Sequence, residues 1–196
     1  MQRVLLTLIF SAGLSLNAAT ELKEDMNTMM PKSDGIQVAL SKSFLDVEIT
    51  ESSIPIETES SSLNDVMGLS IGYINAPIRS LGYMGTLQID QVSEDGETLN
   101  VYSLYADGVY ALSTKANLFA GLNISKIEES GESDSAEISP SLGIQLGGEY
   151  RFTNNFSLRG RYIIRNNELT FPGLSSGDLT MNARISGLEL ALVGTF

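Results

Sequence analysis

Apolar and polar residues alternate with a period of two from Gly35 to the C-terminal Phe196. That period belongs to strands whose two faces meet different surroundings, because successive side chains point to opposite sides. Eight such stretches are predicted: Gly35–Val47, Val66–Asn75, Ser80–Val92, Leu99–Leu112, Ala116–Ile127, Ile138–Phe152, Phe156–Arg165 and Ser186–Phe196. The last shows the pattern most plainly. Leu188, Leu190 and Leu192 lead to Phe196 on one face, with Glu189, Ala191, Val193 and Thr195 on the other. Several stretches run to about ten residues, the length at which a tilted strand crosses a bilayer.

The connections alternate in length. Ala76–Arg79, Ser113–Lys115 and Thr153–Asn155 are tight, whereas Thr50–Asp65, Ser93–Thr98, Glu128–Glu137 and Asn166–Met181 are longer or more polar. Up-and-down antiparallel strands place odd and even connections at opposite ends, so the short turns collect at one end and the long loops at the other. The pattern predicts an all-β fold, an eight-stranded antiparallel up-and-down transmembrane β-barrel.

Aromatic positions sort by height. Tyr73, Tyr83, Tyr110, Tyr150, Phe152 and Phe156, with Phe196, lie on the apolar face near a tight turn or the C-terminus. Phe44, Tyr102 and Tyr162 lie toward the long connections and form a sparser ring. Two girdles around an aliphatic band are what a bilayer selects, since amphipathic rings prefer its interfaces.

Residues 1–19 read as a signal peptide: one early cation at Arg3, a short apolar run from Val4 to Leu16, then Asn17, Ala18 and Ala19. Residues 20–34 are expected to be a flexible lead-in, and 35–196 the barrel. No apolar run reaches the roughly 20 residues of a transmembrane helix. The chain has no Cys, so it has neither a disulfide framework nor a lipidation site at cysteine.

The formal net charge of −12 disfavours nucleic acid as a partner. The four long connections hold fourteen acids and no Lys or Arg, while Arg79, Lys115 and Arg151 lie at the tight turns. Carboxylates attract hard divalent cations, but no connection has the spacing of a dedicated calcium loop, so no metal site and no cofactor are assigned.

Segments such as KANLFAGLNIS, SPSLGIQLGGEYRF and the terminal LELALVGTF, behind a signal peptide and within eight alternating strands, resemble the OmpA/OmpX-like group of small outer-membrane β-barrels. The resemblance covers residues 35–196 and implies an outer-membrane location with both termini periplasmic and the long loops extracellular. It also implies that Leu188, Leu190, Leu192 and Phe196 resemble the signal read by the barrel-assembly machinery, with Gly194 departing from the usual large residue. Its partners would be that machinery during biogenesis, outer-membrane lipids and lipopolysaccharide, and a host or surface ligand at the loops, with the barrel itself a monomer.

The lumen of an eight-stranded barrel is just filled by side chains. The inward set is expected to include Asp90, Asp107, Glu149, Arg151, Arg159, Arg161 and Glu189, which must pair in a low dielectric. The Thr153–Asn155 turn would set Glu149 opposite Arg159. Three roles follow: a non-enzymatic structural or surface-interaction protein, a narrow gated ion channel or porin-like barrel along these charges, or a soluble calycin-like ligand carrier. An enzyme is disfavoured because the chain has no His, and neighbouring Ser–Lys pairs such as Ser41–Lys42 point to opposite faces.

Overall fold

A computed structural model of the chain describes residues 34–52, 60–94, 97–129, 137–174 and 177–196. The proposed signal peptide, and the lead-in apart from Asp34, lie outside the described residues. The strands are β1 (Asp34–Ser52), β2 (Ser60–Asn75), β3 (Leu81–Glu94), β4 (Glu97–Ala111), β5 (Ala116–Glu129), the two-residue β6 (Glu137–Ile138), β7 (Ser141–Arg151), β8 (Phe156–Leu174) and β9 (Gly177–Thr195). Each long strand pairs antiparallel with its neighbours, and β1 pairs with β9, so eight long strands close into a barrel. Pro140 lies between β6 and β7. It has no N–H to give to the ladder, and both pieces pair with β8.

Alternation sets the register. Ile36, Leu69, Leu87, Leu104, Leu122 and Leu146 point outward and are exposed, while Gln37, Ser70, Gln88, Ser103, Asn123 and Gln145 point inward and are buried. A soluble carrier would show the reverse, with polar residues outside and an apolar cavity within.

Two of the tight turns share one device. Ser113 Oγ accepts hydrogen bonds from the N–H groups of Lys115 and Ala116, and Thr153 Oγ1 accepts from Asn155 and Phe156. A hydroxyl that satisfies the backbone locally stabilises a short reversal without glycine.

The long connections are shorter than the sequence suggests. β8 and β9 run on through most of Asn166–Met181, and β1 and β2 extend to Ser52 and back to Ser60. On β1 exposed Asp46 and Glu48 still alternate with the inward Leu45 and Val47, so the ladder continues beyond the apolar belt. As a result β1, β8 and β9 have 19 residues each, against 14 in β3 and β5 and 11 in β7. At about 3.3 Å per residue, the longest strands exceed the shortest by roughly 25 Å along the strand.

Candidate functional site

The lumen has a charged middle between two apolar clusters. Toward the tight turns, Ile74, Ala76, Met84, Val109, Ala111 and Phe119 pack together inside the wall formed by β2 to β5. Toward the long connections, Leu45, Val66, Val92, Val101 and Ile185 form a second buried cluster, with Val47, Leu63, Leu99 and Ile127 against it. Asp90, Asp107, Glu149, Arg151, Arg159, Arg161 and Glu189 are all buried on the inward face. They fall into separate groups.

In the first group, Glu149 pairs across the β7–β8 ladder with Arg159. Arg159 Nη2 lies 2.7 Å from Glu149 Oε2, and Arg159 Nε donates to the same oxygen at 3.0 Å. Ser157 Oγ donates to Glu149 Oε1 at 2.9 Å. Gln37, from β1 on the far side of the seam, donates to Glu149 and accepts from Arg159 Nη2. A buried ion pair offsets its desolvation better when its remaining polar atoms are bonded, and Gln37 and Ser157 bond them here.

In the second group, Arg161 Nη1 is 3.6 Å from Glu189 Oε1, and its guanidinium lies 3.9 Å from the centroid of the Tyr105 ring. Gln88 Nε2 donates to Asp90 at 2.8 Å and to Glu189 at 2.5 Å, so one neutral amide holds two carboxylates. In the third, Gln145 Nε2 donates to Asp107 at 2.7 Å while its Oε1 accepts from Asn123 at 2.7 Å. Arg151, the last residue of β7, is buried as well, toward the tight turns.

Several lumen residues are missing from the sequence reading. Arg165 is buried, with Nη1 3.5 Å from Ser103 Oγ. It falls on the same alternation as Arg159 and Arg161, at the last residue assigned to that strand. Among the described residues its inclusion balances the buried charges: Asp90, Asp107, Glu149 and Glu189 stand with Arg151, Arg159, Arg161 and Arg165. Gln37, Gln88 and Gln145 are on the inward face by alternation, but being uncharged they give no sign of their bridging role. Tyr105 is likewise marked only by its parity.

Glycines make room for this packing. A Cβ on Gly68 would collide with Asp90 Oδ1 and Ser41 Oγ, and one on Gly147 would lie 2.5 Å from Phe119 Cζ. Each lets a side chain from the next strand lie flat against the wall.

Outside, Tyr73, Tyr83, Tyr110, Tyr150 and Phe152 are exposed and Phe156 is half-buried, all toward the tight turns. The Tyr73 and Tyr83 rings are 6.2 Å apart. Leu188, Leu190 and Leu192 point outward on β9, and Phe196 exchanges backbone hydrogen bonds with Ile36 of β1 at 2.9 and 3.1 Å. Phe196 packs its ring near Gly194, where an added Cβ would lie 3.2 Å from it.

The sequence matches no protein-family model and no curated protein. Among solved structures it is similar to the outer membrane protein OprG of Pseudomonas aeruginosa, at 9% identity and a TM-score of 0.50 over 85% of this chain and 99% of that one. It is also similar to neisserial surface protein A, at 20% identity and 0.48 over 84% and 98%. A third similarity is to Ail, the attachment invasion locus protein of Yersinia pestis, at 14% identity and 0.39 over 80% and 98%. The fold is that of an outer-membrane β-barrel.

Proposed function

We propose that the protein is a non-enzymatic bacterial outer-membrane barrel that acts at the cell surface, in membrane integrity, adhesion or environmental contact through its acidic long-connection end. The reading agrees with the OmpA/OmpX-like resemblance of the sequence, and it places both termini and the tight turns in the periplasm. The observation that carries it is the filled interior. Paired charges occupy the middle of the lumen, and packed apolar residues line it toward both ends. An ion entering this lumen would have to break buried pairs and cross apolar layers, each costing several kcal/mol. The working surface is then the outside of the barrel and the hairpins that rise above the apolar belt.

Planar-bilayer recording of the purified barrel tests this. The expected record shows no sustained conductance. A steady conductance that Arg159→Ala abolishes would replace the surface role with a channel. Deletion within the β1–β2 and β8–β9 hairpins is expected to impair adhesion or survival in serum while leaving the barrel in the outer-membrane fraction.

A further inference from the structure

Arg79 has a φ of 56°, the sole non-glycine residue among the described residues with positive φ. The left-handed region strains an L-residue, and Gly or Asn would occupy it with less strain. The surrounding backbone holds Arg79 there. Its N–H donates to Ala111 O at 3.0 Å, Ile78 bridges to Ala111, and Ser80 N–H donates to Pro77 O at 3.2 Å. Strain of this kind persists where the surroundings over-determine it, and it points to a used side chain.

The surroundings of that side chain suggest its use. Arg79 is exposed and makes no side-chain hydrogen bond or ion pair with another described residue. The clasp on Ala111 ties its turn to the β4–β5 turn, which carries the exposed Lys115. Immediately beyond, Leu81 is 75% exposed and pairs in register with Tyr110, while the Tyr83 ring lies tilted beside Tyr73. A cation whose backbone is clasped in place thus sits in the turn next to these exposed tyrosines and Leu81. Those are the requirements of a phosphate at a membrane interface: positive charge at headgroup depth, hydroxyl donors beside it, and apolar surface for the acyl chains.

We propose that Arg79, with Tyr110 and Leu81 beside it, forms a seat for an anionic glycerophospholipid in the leaflet facing the tight turns. The seat rests on the membrane reading above. Free phosphate would meet the guanidinium and the phenol hydroxyls but gain nothing from the apolar surface of Leu81, so a lipid is the favoured source of the phosphate.

The test uses the folded full-length barrel, titrated with phosphatidylglycerol and followed by native mass spectrometry, and its thermal unfolding in phosphatidylcholine vesicles. Arg79→Gly removes the strain and the charge together. It is expected to unfold at least about 2 °C higher than wild type in phosphatidylcholine, yet to lose about fivefold in phosphatidylglycerol affinity. Arg79→Lys should retain wild-type affinity. Equal phosphatidylglycerol uptake by wild type and Arg79→Gly overturns the seat, and so does displacement of the lipid by equimolar inorganic phosphate. A wild type that inserts into phosphatidylcholine vesicles keeps the membrane reading in either case. One that fails to insert overturns that reading and the lipid seat with it.

Discussion

Glu149 and Arg159 face each other across the β7–β8 ladder and close an ion pair at 2.7 Å, with both side chains 2% exposed. The pair therefore acts as a single unit, held in place by Gln37 and Ser157.

Removing one partner leaves the other charged and buried. Arg159→Ala is expected to cost about 3–5 kcal/mol, read as a lower urea midpoint for loss of the heat-modifiable folded band. The double variant Glu149→Leu/Arg159→Met should recover most of that loss, since an apolar pair of similar volume needs no desolvated charge. Equal stability of the single variant and wild type would show that the pair contributes nothing.

Glycine positions separate packing from propensity. Gly68→Ala drives a Cβ into Asp90 and Ser41 and is expected to destabilise by about 1–3 kcal/mol. At Gly85 an added Cβ meets nothing within 4 Å. Gly85→Ala should be neutral or stabilise by up to about 1 kcal/mol through the unfolded chain. Urea unfolding from vesicles measures both.

The depth of the apolar belt is testable by charge. Leu122, near the middle of β5, is 63% exposed, and Leu112 lies beside the β4–β5 tight turn at 51%. Leu122→Arg is expected to cost about 2–4 kcal/mol and Leu112→Arg about 0–1 kcal/mol. Two equal, small costs would mean that the face meets water.

The buried apolar cluster toward the long connections gives a fourth expectation. Leu45 is buried with Val66, Val92, Val101 and Ile185. Leu45→Ala should cost about 2–5 kcal/mol, because the site loses both apolar contact and volume. Leu118→Ala, on the outward face, is expected to cost less, since lipid chains refill the surface. Reversible unfolding in vesicles compares the two.

The barrel itself was legible in the alternation. Leu188 through Phe196, the tight turns and the sorted tyrosines carry geometric information that does not depend on tertiary contacts. Strand ends were less legible, because beyond the belt both faces change character together. Asp46, Glu48 and Glu168 turn the outer face polar, while Val47, Ile185 and Leu45 keep the inner face apolar. The apolar outer face therefore ends before the strand does, as it does near Arg165 on β8. The interior apolar residues were hidden for a related reason. Met84, Val109 and Phe119 sit on the face expected to be polar, and only the closed lumen makes apolar packing there favourable. The glutamine bridges were illegible because a neutral amide declares its partners only once neighbouring strands are in register.

The seam between β1 and β9 has a kinetic consequence. Gln37 and Thr195 are hydrogen-bonded at 3.4 Å although 158 residues separate them in the chain. No partial set of strands can complete that seam, so every intermediate keeps two open edges until both ends of the chain are present. Contacts so distant in sequence make closure slow and dependent on loop entropy. An unclosed sheet offers its edges to other chains. Shelter for those edges is needed until Phe196 reaches Ile36, and a chain cut short within β9 should be lost to aggregation well before it is lost to instability.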